Sequence, residues 1–120
     1  MNDGAFRQAY LSGKYMDDND HVILRNIALA CEAGVLVAKA GLRPIIPHTS
    51  GDHRVTWEKA MTRCDEIFQS LRPGHDLIVL LPGWEQSRES KVEKEWAERL
   101  GIEVVGLHDL LVVQLDGISA

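Results

Sequence analysis

Residues 84–93 place an indole, two hydroxyls, a guanidinium and several carboxylates within one loop and one helical turn. Glu93 is the residue in this stretch best placed for chemistry. Beside Lys91 and Lys94 a helix glutamate is ordinarily solvated. Here Ala97 and Leu100 follow it at helical spacing next to Trp96, which sets Glu93 at the edge of an inward face. Two other carboxylates are possible partners. Asp65 lies in a helical pattern next to Cys64, and Asp76 opens an apolar run, where it also suits a strand-end cap. Tyr10 stands near the end of a first strand. Its hydroxyl needs a partner if it is buried, and a carboxylate at the strand ends would serve. Trp84 follows a Pro-Gly turn and suits either ligand stacking or packing between subunits. His48 closes a second strand, where it suits a ligand hydrogen bond or a structural turn. The set reads as carboxylate chemistry in a pocket with aromatic walls.

Other chemistries lack their motifs. No GxGxxG, GxxxxGK[ST] or GxSxG occurs, which disfavours dinucleotide binding, P-loop nucleotide binding and an α/β-hydrolase nucleophile. The five histidines form no HExxH or similar cluster, so neither a metal nor a cofactor is expected. Cys31 and Cys64 have no metal-type spacing and read as buried free thiols in a reducing, cytoplasmic setting. Thirteen basic against 18 acidic residues give a formal charge of −5, which argues against nucleic acid as a partner. No uninterrupted apolar run of about 18 residues occurs and residues 1–8 carry no signal pattern, so no membrane span is expected.

The elements that must position these groups are legible in order. Residues 5–12 read as a strand and residues 21–40 as a long helix, with Asp20 as N-cap and Gly41 as the stop. Residues 43–48 form a short strand in which Pro44 and Pro47 indicate an edge. The loop HTSGDH, 48–53, leads to a second helix over 56–71. Residues 76–81 lack alternation, the mark of a strand buried on both faces. A third helix over 89–100 turns Val92, Trp96, Ala97 and Leu100 inward, and 102–106 is a fourth strand. One helical turn at 108–111, a short strand at 111–115 and a loose tail complete the chain.

One domain over 1–120 follows, 45% hydrophobic and 26% charged. The βαβαβαβ order implies an α/β fold: a three-layer α/β/α sandwich on a mainly parallel four- to five-stranded sheet, Rossmann-like in the flavodoxin manner. Ligands in such sheets bind beyond the carboxyl ends of the strands. Those ends carry Ser12-Gly13, His48-Thr49, Pro82-Gly83-Trp84 and Gly106.

Three blocks resemble the nucleoside 2-deoxyribosyltransferase-like superfamily, in particular its small, largely uncharacterised branch. They are Tyr10-Leu11-Ser12-Gly13; Arg25-Asn26-Ile27 with Gly41-Leu42-Arg43-Pro44-Ile45-Ile46-Pro47-His48; and Asp76 through Leu81-Pro82-Gly83-Trp84, Ser87-Arg88 and Glu93-x-x-x-Ala97-x-x-Leu100-Gly101. The resemblance implies an N-glycosidase or deoxyribosyltransferase acting on a nucleoside or nucleotide. Glu93 would be the nucleophile at the anomeric carbon and Tyr10 would hold it. Asp65, or else Asp76, would be the acid assisting the base. Ser87 would be a sugar or phosphate contact, and Ser12, Gly13, His48, Gly83 and Trp84 would line the substrate site. It also implies a homo-oligomer, with Trp84, Trp96 and the C-terminal segment as contact surfaces. The chain departs from the superfamily at Arg88-Glu89-Ser90, where glycine is usual, and a bulkier acidic loop there would block a phosphate or alter substrate choice. The alternatives are a non-catalytic nucleotide-binding or sensing protein on the same fold, or a purely structural domain.

Overall fold

The computed structural model describes residues 6–49 and 56–119. Strands and helices alternate: β1 (Gln8–Ser12), α1 (Asp20–Lys39), β2 (Arg43–Ile45), α2 (Trp57–Phe68), β3 (Leu77–Leu80), α3 (Arg88–Leu100), β4 (Glu103–Gly106) and α4 (Leu107–Ser119). Single 3-10 turns at Pro47–Thr49 and Trp84–Gln86 follow β2 and β3. The sheet order is β2-β1-β3-β4 and every pairing is parallel. This is the Rossmann-like α/β arrangement the sequence predicts, with four strands.

Successive side chains in a strand point to opposite faces, and the two cores divide on that rule. Ala9, Leu11, Leu77 and Val79 meet Ala30, Ala33 and Val37 of α1, with Leu107 and Leu110 of α4 packed alongside. Tyr10, Ile78 and Leu80 face the other way, onto Phe68 of α2 and Ala97 of α3. β3 is buried along its whole length, as its unbroken apolar run predicts. β2 is an edge strand, so Pro44 sits opposite Ala9 at little cost to the ladder.

Several boundaries differ from the sequence expectation. Asn19, not Asp20, caps α1: its side chain accepts the His21 N–H at 2.8 Å, and Asp20 becomes a first-turn acid favoured by the helix dipole. β2 stops at Ile45 because the 3-10 turn takes Pro47, His48 and Thr49; residues 50–53 of the HTSGDH loop lie outside the described residues. Leu100 is exposed rather than inward, since the buried stripe of α3 is Ser90, Glu93 and Ala97. Cys31 is exposed on α1 rather than buried. The predicted turn and strand after residue 107 are a single helix. Val112 and Val113 suggest a strand locally, but Leu107 and Leu110, three residues apart, fit the face that α1 already covers, and tertiary packing overrides propensity.

α1 is, by length and composition, apolar enough to cross a membrane, with a mean hydropathy of 1.5. The expectation of no such segment counted unbroken apolar runs, which Arg25 and Glu32 interrupt. In the fold its inner face lies against the sheet. Gly34 permits this: a Cβ there would come within 2.6 Å of Ile46 Cδ1. Its outer face leaves Leu24, Leu29, Val35 and Leu36 exposed.

Candidate active site

α3 begins at a defined cap. The Ser87 side chain accepts the Ser90 N–H at 3.1 Å, and Gly101, with φ of 75°, closes the far end. A helix lying on a sheet normally buries large apolar residues. Here the buried positions are Ser90, Glu93 and Ala97. The two small residues let α3 sit low, and Glu93 enters the sheet–helix interface, 3% exposed.

Tyr10 and Ser12 are two residues apart on β1, so both face α3. The Tyr10 hydroxyl donates to Glu93 Oε2, and Ser12 Oγ donates to Glu93 Oε1 at 2.7 Å. The Cys64 thiol of α2 is a third partner. Behind Tyr10 stand Phe68, with ring centroids 4.9 Å apart, and then Trp96, 5.5 Å from Phe68, both edge-on. This aromatic wall keeps water from the carboxylate on its inner side.

Burial pushes the Glu93 carboxyl up to about 7. Its hydrogen bonds from Ser12, Tyr10 and Cys64 oppose that rise, and the nearby Glu89 charge adds to it. The same burial, with the Glu93 charge, pushes the Cys64 thiol up to about 12 and raises the Tyr10 phenol well above its ordinary value. Tyr10 and Cys64 therefore stay protonated and serve as donors, while Glu93 is poised to change charge near neutrality.

Glu93 is reached through a narrow cleft at the carboxyl ends of β1 and β2. Gly13 and Met16, just past β1, form one side. A Cβ at Gly13 would lie 2.9 Å from the Leu81 side chain, so only glycine lets the chain leave β1 here. Met61 and Cys64 of α2 and Glu89 of α3 also line it. His48 closes one end, 4% exposed. Its Nε2 meets the Lys14 carbonyl oxygen at 3.2 Å and so carries the proton, while burial lowers its pKa and keeps the ring neutral. His48 Nδ1 is a buried acceptor without a partner among the described residues. The Arg88 guanidinium lies 3.7 Å above the Trp57 ring and ties the start of α3 to the start of α2.

The structure thus brings Glu93, Tyr10, Ser12, Gly13 and His48 together. Ser12 spends its hydroxyl on Glu93 instead of lining the cleft. Ser87 is occupied as the helix cap. Trp84 packs half-buried against the core on the α2–α3 side, and Gly83, with φ of 88°, makes the exposed turn before it; neither lines the cleft. Asp65 is also elsewhere. Adjacent helical residues lie about 100° apart, so with Cys64 facing the cleft Asp65 turns away. Its Oδ1 accepts from Gln69 Nε2 at 3.2 Å, in a separate open depression shared with Trp57 and Trp96. Asp76 is at the opposite, amino end of β3. Sequence reasoning passed over Cys64 and Met61, although the spacing Ala60, Met61, Cys64, Phe68 already marks them as the inward stripe of α2.

Residues 7–106 match the model of a family described as "Domain of unknown function (DUF4406)", and the chain belongs to that family. No curated protein matches it.

Proposed function

We propose that this DUF4406 protein cleaves the N-glycosidic bond of a deoxynucleoside or nucleotide through a covalent glycosyl–Glu93 intermediate, in the manner of the nucleoside 2-deoxyribosyltransferase-like proteins its sequence resembles. One observation carries the reading: a glutamate sits in the buried stripe of α3, gripped by Tyr10 and Ser12 and open on one side to a cleft at the strand ends. A purely structural helix gains nothing by desolvating a carboxylate there.

The chemistry follows from that placement. A Glu93 carboxylate oxygen bonds to the anomeric carbon as the carbon–nitrogen bond breaks. The bonding pair leaves with the base, which takes a proton from water at the cleft mouth, since neither Asp65 nor Asp76 reaches the site. Water or a second base then attacks the anomeric carbon and frees Glu93. Tyr10 and Ser12 hold the carboxylate in line and are positioning residues.

Self-association in the cytoplasm belongs to the same reading. Trp84 and Trp96 are half-buried, whereas α1 exposes Leu24, Leu29, Val35 and Leu36, the better-suited contact surface. The test is base release from a panel of deoxynucleosides and their monophosphates. Wild type releases base from at least one, and Glu93→Ala reduces that at least about a thousandfold, the scale of losing a covalent nucleophile. Binding without turnover by wild type would instead indicate a nucleotide sensor.

A further inference from the structure

The exposed side of α1 carries an unbroken apolar row. Leu24, Ala28, Cys31, Val35 and Ala38 follow one another at alternating steps of four and three residues, which puts them within about 80° of arc at 100° per residue. All five are exposed, Leu24 and Val35 by more than half. This is the heptad spacing of a helix that packs along another helix, yet among the described residues no element of the chain covers it. Leu29 and Leu36 lie off the row, on the rim of a groove shared with Leu81 and Leu107. Arg25 and Glu32, one heptad apart, flank the row on one side. Neither takes part in an ion pair among the described residues.

We propose that a second copy of this chain covers the row, α1 against α1, antiparallel about a two-fold axis. In a register that sets Leu24 against the partner's Val35 and Ala28 against the partner's Cys31, the row meets itself from Leu24 to Val35, as an isologous contact requires. The same register brings Arg25 beside the partner's Glu32 and, by symmetry, Glu32 beside the partner's Arg25, two ion pairs per dimer. A parallel pair would set that flank against Ile27 and Gly34 and satisfy neither charge. A lipid surface fits less well, because the flank mixes Arg25 and Lys39 with Glu32 and the chain carries a formal charge of −5. Ala28 and Cys31 are small enough to let the two backbones come close. The row spans about 21 Å at 1.5 Å per residue, a modest contact, so the dimer forms and dissociates with concentration. α1 lies on the face of the sheet opposite Glu93, which leaves the cleft open in the dimer. This rests on the self-association part of the proposed function and not on its glycosidic chemistry.

The experiment is sedimentation equilibrium over a range of protein concentrations. Wild type shows a monomer–dimer equilibrium, and Leu24→Glu and Val35→Glu each weaken it at least about thirtyfold, the scale of losing an interface hot spot. Both positions are exposed in the single chain, so the circular dichroism of these variants stays that of wild type. Arg25→Glu and Glu32→Arg each weaken the dimer about tenfold by setting like charges together, and the double variant Arg25→Glu/Glu32→Arg returns it to within about threefold of wild type. Damage to the fold would not be repaired by the second substitution. A wild type that stays monomeric, a dimer untouched by Leu24→Glu and Val35→Glu, or a charge swap that fails to restore association overturns the proposal. A monomeric chain that co-sediments with phosphatidylglycerol vesicles overturns it in favour of a membrane surface. None of these readouts uses base release, so the dimer and the glycosidic reading stand or fall separately.

Discussion

Glu93 and Asp76 are both withdrawn from water, at 3% and 0% exposure, and they are held in opposite ways at opposite ends of the sheet. Burial pushes Asp76 up, but the backbone N–H groups of Gln8 and Arg72 and the His75 ring outweigh it and hold its carboxyl below the usual range. Asp76 thereby ties the start of β1 to the turn before β3 as a permanent anion. Among the described residues Glu93 has hydroxyl and thiol partners and no backbone donor or cation in its hydrogen bonds, so burial wins and its proton is held up to about 7. A carboxylate solvated by backbone N–H groups is a structural clasp. One left to side-chain hydroxyls beside a cleft keeps its reactivity and makes the fold less stable at high pH.

Removing each charge separates the two roles. Glu93 binds its proton more tightly folded than unfolded, so its contribution is complete below about pH 4.5 and is lost as pH rises through about 7. The difference is on the order of 3 kcal/mol at 1.36 kcal/mol per pKa unit. Glu93→Gln therefore abolishes base release yet raises stability in urea at pH 8 relative to wild type, with little change at pH 4. Asp76→Asn does the reverse. It loses about 3 kcal/mol at neutral pH, because an amide cannot accept all the bonds the carboxylate does, and kcat at a temperature where it remains folded changes little. Asp76 contributes above its unfolded pKa, so that deficit shrinks as pH falls below about 4.

Smaller changes sharpen the contrast within the site. Tyr10→Phe removes one donor to the Glu93 carboxylate, so the pH above which activity appears moves upward, with a stability loss of about 1 kcal/mol. The pH–rate profile distinguishes this from simple loosening, which would lower activity at every pH. Asp65→Asn is the smallest: activity stays within about twofold and stability within about 0.5 kcal/mol, as expected for a half-buried residue outside the cleft.

The sequence makes some of this legible and hides the rest for identifiable reasons. The unbroken run of β3 and the glycine after α3 state their structure outright, because burial on both faces and a left-handed cap each demand particular residues. Tyr10 and Ser12 can be put on one face of β1 by counting in twos. The depth of Glu93 is harder to read, since Lys91, Lys94 and Glu95 around it look like a solvated helix and only the small Ser90 and Ala97 betray the buried stripe. Asp65 looks suitable by type and order, but helix phase gives the inward place to Cys64. The end of the chain misleads because Val112-Val113 favours a strand locally while the sheet face left open beside α1 takes a helix.

The most direct measurement traps the intermediate. A nucleoside fluorinated at C2′ slows hydrolysis of a glycosyl-enzyme more than its formation. Peptide mass spectrometry after incubation then finds the glycosyl mass on the tryptic fragment Val92-Glu93-Lys94 of wild type and not on its Glu93→Gln counterpart. Base release with Glu93 unmodified, or the adduct on another residue, would contradict the account.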